Sequence, residues 1–244
     1  QEVTVDEFDT VRYDGEHLYI APGGYLNCCF LAATDGAANT GSPAVDSIRI
    51  LATDSSDASA TSTGAIALED GVSVQGLYVE GERLFALTAQ STFGTFGSVW
   101  ADLSIWAPET LGYRVYDTSD KSNPVQEVDV TIDGIFVDSR RIGNTVYIVS
   151  RYTPDVQGLI PAPATAAEAT QNESLLANVE LNELLPGITI DGTRQTLVDP
   201  TQCYLTNDGT VPAYGVITNV TAVPIDDPSA FSNTCYNASA YGAY

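Results

Sequence analysis

The 244-residue chain has no methionine, one histidine (His17) and one lysine (Lys121). A zinc site is disfavoured, because His17 stands alone and no Cys-x-x-Cys spacing occurs. A Ser-His-Asp or Cys-His arrangement would have to draw on His17, which follows a hairpin turn where a solvent-exposed side chain is expected. Only nine Lys and Arg face 32 Asp and Glu, for a formal charge of -23. Nucleic acid and anionic membranes are therefore poor partners, since phosphate binding rests on Lys and Arg. No apolar run approaches the ~20 residues of a membrane helix, so direct membrane insertion is not expected. "APGG" and "FGTFG" lack both the lysine and the strand-to-helix setting of a phosphate loop. The absence of Met and of a basic-then-apolar leader fits a processed or trimmed chain.

What is present is an ordinary core composition. Hydrophobic residues make up 44% of the chain, enough for one large all-β domain or two small ones. The acidic residues are scattered, as on a solvated surface suited to salty water; a cation-binding face is the functional alternative. Cys28, Cys29, Cys203 and Cys235 form an even set compatible with an oxidising compartment. Adjacent residues of a strand point to opposite faces, so Cys28 and Cys29 are not expected to bond each other. Cys203 and Cys235 bracket a β-rich segment and are the favoured disulfide pair.

A repeat organises the chain. "FDTVRYDGEHLYIAPGG" (8–24), "VQGLYVEGERLFALTAQ" (74–90) and "IFVDSRRIGNTVYIVSRY" (135–152) each join two apolar-aromatic strands through a tight turn. Asp14-Gly15 and Gly143-Asn144 suit turns that need positive φ. Leu18, Leu84 and Val146 open the second strands, 66 and 62 residues apart. Further on, "SIRILATDSSDAS", "GYRVYDTSDKSNP" and "VTAVPIDDPSAFS" each run a strand into an Asp-rich turn, where Asp and Ser side chains bond backbone N–H groups. A fourth strand follows each: "GAIALED", "VQEVDVTID" and "SNTCYN". Four antiparallel strands repeated radially are the blades of a β-propeller. The expected fold is all-β, with blades at about 8–73, 74–133 and 134–237. Residues 238–244 would start a fourth blade, and the ring is expected to be completed by further sequence or by self-association.

One stretch departs from the pattern. Residues 152–187 are Pro-rich, then rich in Ala, Glu and Leu. Thr165-Ala-Ala-Glu168 reads as a capping box, and Leu175, Leu176, Val179, Leu184 and Leu185 as a helical apolar face ended by Pro186-Gly187. The expectation is a helical excursion over about 164–186, packed on the side of the propeller or acting as a lid over its face.

These segments together resemble a family. "DEFDTVRYDGEHLYI", "YRVYDTSDKSNP", "FVDSRRIGNTVYIVSRY", "LNELLP" and "VTAVPIDDPS" are similar, in that order, to secreted bacterial and archaeal proteins with a C-terminal β-propeller domain distantly related to WD repeats. Arg12 stands where the family tends to have Lys. Residues 25–45 match no part of it. The resemblance implies a secreted, periplasmic or envelope location but no established activity.

Candidate site residues are few, and no catalytic residue is singled out. Asp117, Asp120 and Asn123 crowd one turn with oxygen atoms, as Asp226 and Asp227 do another, and calcium is the cofactor they would suit. A capped turn explains the same residues. Asp138, Arg140 and Arg141 fall on the innermost strand of the third blade, beside the channel. Alternation puts Phe136, Asp138 and Arg140 on one side and Val137, Ser139 and Arg141 on the other. The arginines either lock blades through a partly buried pair with Asp9 or Asp138, or anchor an anionic ligand. The favoured function is an extracellular or envelope binding or scaffold module that recognises protein or glycan through the propeller face. The alternative is an envelope hydrolase or lyase with acidic residues and calcium at the channel.

Overall fold

Local turn chemistry decides where the strands break. In this computed structural model, residues 5–22, 47–90, 110–154, 156–160, 163–205 and 216–237 are described. Strand β1 (Val5–Glu7) comes first. It is followed by β2 (Val11–Tyr13), β3 (His17–Ile20), β4 (Ser47–Asp54) and β5 (Ser59–Ala67). Next come β6 (Val72–Glu80), β7 (Arg83–Gln90), β8 (Thr110–Asp117), β9 (Val125–Asp133), β10 (Ile135–Ile142) and β11 (Thr145–Tyr152). Helix α1 (Ala166–Leu176) leads to β12 (Gly187–Ile190), β13 (Thr193–Thr196), β14 (Cys203–Leu205), β15 (Ile217–Pro224) and β16 (Ser232–Asn237). No helix among the described residues is long and apolar enough to cross a membrane.

The strands form three sheets, ordered β2-β3-β4-β5, then β13-β12-β9-β8-β7-β6, then β1-β10-β11-β15-β16-β14. A four-stranded group lies in each: β2–β5, β6–β9, and β10, β11, β15 and β16. β6 starts at Val72, slightly ahead of the expected second repeat. β5 starts at Ser59, five residues before "GAIALED". The chain divides into two compact units, residues 8–91 with 114–127, and residues 1–7, 92–113 and 128–244. β8 and β9 run through both.

In the first unit, alternation along β3, β4, β5, β6 and β7 gathers one core of Tyr19, Ile48, Ile50, Ile66, Leu77 and Leu84. All but Ile66 are fully buried. Gly64 is required where β5 meets the turn after β8, since a Cβ there would land on the Lys121 carbonyl oxygen. In the second unit, Val130, Ile132, Val146, Ile148, Ile188 and Val223 are fully buried.

Three short additions lie outside the expected strands. β1 pairs antiparallel with β10, matching Glu7 to Arg140. The β12–β13 hairpin extends the sheet of the second repeat, with Ile188 opposite Ile132. Arg194 grips Asp133 with two hydrogen bonds of 3.2 and 2.6 Å, and Asp133 also accepts from the Gly187 N–H at 2.9 Å. β14 pairs parallel with β16.

The helical excursion is shorter than expected. Thr165 caps α1, and Glu168 reaches back to the Ala164 and Thr165 N–H groups, completing the capping box. Helix α1 ends at Leu176 and buries no residue. Leu175, Leu176, Val179, Leu184 and Leu185 therefore do not line one helical face. A 3-10 turn over Leu181–Glu183 follows, and Gly187 opens β12 instead of ending a helix. Short 3-10 turns also occur over Pro200–Gln202 and Pro228–Ala230. Residues 238–244 and Cys28 and Cys29 lie outside the described residues.

Candidate functional site

The Asp-rich turns carry a structural device repeated three times. Thr53 donates both its N–H and its hydroxyl to the Glu16 carbonyl, each at 2.9 Å. Thr118 does the same to Glu82, at 2.7 and 2.8 Å. In the third repeat the Ile225 N–H donates to the Asn144 carbonyl at 3.0 Å, while the Asn144 side-chain amide donates to Asp226 at 2.6 Å. A residue at the end of the third strand thus ties back to the first hairpin turn of its repeat.

The calcium candidates serve the same turns. Asp117 accepts from the Ser119 N–H at 2.8 Å, and Asp120 from the Ser122 N–H and hydroxyl at 2.9 and 2.6 Å. Asn123 contributes its N–H to the Asp120 carbonyl at 3.1 Å. The Ser119 N–H is the main cause holding the Asp117 carboxyl below its ordinary range, and the Ser122 hydroxyl is the main cause for Asp120. Asp227 likewise accepts from the Ser229 N–H and hydroxyl. Among the described residues, no three His, Cys, Asp or Glu side chains gather as a metal-binding group.

The only lysine closes a polar cluster between β2–β3 and the β8–β9 turn. Lys121 Nζ donates to the Thr118 carbonyl at 2.8 Å and lies 3.6 Å from Asp14 Oδ2. Tyr19 donates to Asp14 Oδ2 at 3.0 Å and shares a 3.3 Å contact with Thr118 Oγ1. Burial opposes charge on Asp14, but the Glu16 and His17 N–H groups, Tyr19 and Lys121 outweigh it and hold the carboxyl down. Burial likewise opposes charge on Lys121, and Tyr19 and Asp14 outweigh it, so its pKa rises. His17 is half-buried, not solvent-exposed: its side chain is 17% accessible and Nδ1 lies 3.8 Å from Asp14. The reason is the turn itself, in which Asp14 accepts from the His17 N–H at 2.7 Å and draws the ring inward.

On β10, Arg140 bonds Asp138 at 2.8 Å and lies 3.6 Å from Glu7 of β1. Asp9 accepts from the Thr10 and Val11 N–H groups at 2.7 and 3.4 Å. Arg141 donates to the Gly143 carbonyl at 3.1 Å. Arg140 and Asp138 are 39% and 40% accessible, so the pair is not buried. A register shift between Phe136 and Asp138 turns Phe136 to the face opposite Asp138 and Arg140, because one extra residue reverses the alternation. Glu7 of β1 thus lies beside Arg140, which keeps more than a third of its side chain accessible.

Sequence reasoning missed an aromatic edge. Cys203 and Cys235 form a disulfide with Cα atoms 4.7 Å apart. The next pair in register, Tyr204 and Tyr236, stacks with ring centroids 5.2 Å apart and planes 17° from parallel. Tyr204, Leu205 and Tyr236 are 62%, 71% and 41% exposed. The signal lay in the matched Cys-Tyr dipeptides at 203–204 and 235–236, which a pair of parallel strands brings side by side.

No curated protein and no solved structure matches the chain. The three repeats and the strand-rich architecture agree with a family-level comparison, in which the model of the β-propeller domain matches residues 1–244. The chain belongs to the β-propeller domain family.

Proposed function

We propose that this domain is a binding or scaffold module of a secreted or envelope protein, recognising a protein or glycan ligand without a cofactor. The observation that carries the reading is the disulfide-pinned aromatic edge, where Tyr204 and Tyr236 stack in register and stay exposed beside Leu205. Rigid tyrosines present a large apolar surface with a polar tip, the combination enriched at recognition sites. The Cys203–Cys235 bond suits an oxidising compartment. Arg140 and Arg141 already have partners within their own sheet, so the outer edge supports recognition better than they do.

The test is a binding screen against an oligosaccharide array and against envelope proteins, repeated with Tyr204→Ala and Tyr236→Ala. Loss of a hot-spot aromatic costs about 2 kcal/mol or more, a drop of about thirtyfold in affinity. A ligand bound equally well by the double variant would contradict the assignment to this edge.

A further inference from the structure

Alternation along β11 and β15 brings Val146, Ile148 and Ser150 to the same face as their partners Val223, Thr221 and Asn219, and all six are fully buried. Ser150, Asn219 and Thr221 are polar, and polar side chains in such a place are almost always hydrogen-bonded.

Part of that need is met along the sheet. Thr221 Oγ1 donates to Asn233 Oδ1 at 2.9 Å, and Asn233 Nδ2 donates to Asn219 Oδ1 at 3.1 Å. This run of bonds ends on a donor, Asn219 Nδ2. That group and Ser150 Oγ are both buried without a hydrogen-bond partner. Turning both amides over would only exchange the unpaired Nδ2 of Asn219 for an unpaired Oδ1.

Ser150 and Asn219 stand directly opposite each other, which puts their Cβ atoms about 4.5 to 5.5 Å apart. Their polar atoms do not bond each other. One water spans such a gap, and two polar partners are the fewest a buried water takes. Both groups are neutral, which suits water and not an ion.

We propose that Ser150 and Asn219 form the binding site of one buried water molecule, held between β11 and β15. The water accepts from Asn219 Nδ2 and shares a hydrogen bond with Ser150 Oγ. The row continues from Asn219 to Cys235 and on to Cys203. The water joins β11 to β15, the Asn233–Asn219 bond joins β15 to β16, and the disulfide joins β16 to β14. Side chains thereby tie together four neighbouring strands, on the face opposite the Tyr204–Tyr236 stack.

NMR tests this through the nuclear Overhauser effect between water and the side-chain amide protons of Asn219. The unaltered chain should give a cross-peak with the sign of a water that tumbles with the protein. Ser150→Ala should keep it, because the space and Asn219 remain; this variant also removes the serine hydroxyl, whose exchange with solvent mimics a bound water. Ser150→Val should lose it, because its methyl groups fill the site. If Ser150→Val lacks a cooperative melting transition, a crystal structure of the unaltered chain replaces it, with a water expected within about 3.2 Å of both Asn219 Nδ2 and Ser150 Oγ. No cross-peak in the unaltered chain would overturn the proposal, as would one lost in Ser150→Ala or kept in Ser150→Val. A direct bond between Asn219 and Ser150 in the crystal would overturn it too.

Discussion

Replacing Lys121 with Met removes the only lysine while keeping much of its apolar stem, and the effect can be worked from the geometry. Asp14 and Lys121 are 13% and 18% accessible and lie 3.6 Å apart. At an effective dielectric of about 20, two unit charges at that distance attract by about 4 to 5 kcal/mol. Desolvation offsets much of that gain. Asp14 is not orphaned by the change, because it still accepts from the Glu16 and His17 N–H groups and from Tyr19. The expected loss is therefore about 1 to 3 kcal/mol, below the ~3 to 5 typical when a buried partner is stranded. Urea unfolding should show a lower midpoint with an unchanged slope. A double-mutant cycle with Asp14→Asn should give a coupling of about 1 to 2 kcal/mol. The pH dependence has a definite sign. The Asp14 pKa is lowered by folding, so its contribution is full above about pH 4 and falls away as pH drops through the folded value. The Lys121 pKa is raised, so its contribution is full below about pH 10 and is lost as pH rises through the folded value. Coupling under ~0.3 kcal/mol with an unaltered acid limb would refute the reasoning.

Three other perturbations follow from the same structure. Gly64→Ala should destabilise by about 1 to 3 kcal/mol in urea titration, because its Cβ would collide with the Lys121 carbonyl oxygen and the β8–β9 turn must shift; a neutral change would contradict that close approach. Replacing Cys203 and Cys235 together by Ser releases a crosslink of sequence separation 32, which loop-closure entropy sets at about 3 to 4 kcal/mol; calorimetry showing no drop in Tm would contradict it. Arg140→Met should cost no more than ~1 kcal/mol, since Arg140, Asp138 and Glu7 are all more than a third exposed; a loss above ~3 kcal/mol would mean the pair is buried.

The hairpins were legible because their signals are local. Gly15, Gly81 and Gly143 have positive φ, and the Asp side chains cap their own turns within a few residues. The helix start was legible for the same reason: Thr165 and Glu168 complete their box without help from the rest of the chain. Its end was not. Leu175 to Leu185 carry a helical spacing, but no residue of α1 is buried, so little packing favours prolonging it. β1 and β14 have three residues each and exist through distant partners, which no local pattern encodes. The β12–β13 hairpin did carry a local signal, Asp191-Gly192 with both residues at positive φ, and only its pairing with β9 is distant. The partners of Arg140 depended on that same hidden pairing, since Glu7 comes within reach only once β1 lies along β10. The aromatic edge depended likewise on the parallel pairing of β14 with β16.

One feature recurs in all three repeats, the tie from the third strand to the carbonyl of the first hairpin turn. Amide hydrogen exchange read by NMR at Thr53, Thr118 and Ile225 tests it directly. All three N–H groups should be protected far beyond unfolded-chain rates, because each donates to its turn carbonyl at 2.9, 2.7 and 3.0 Å respectively. Exchange of any one at the unfolded-chain rate, in protein whose β-strand amides are protected, would show that its repeat is not closed in this way.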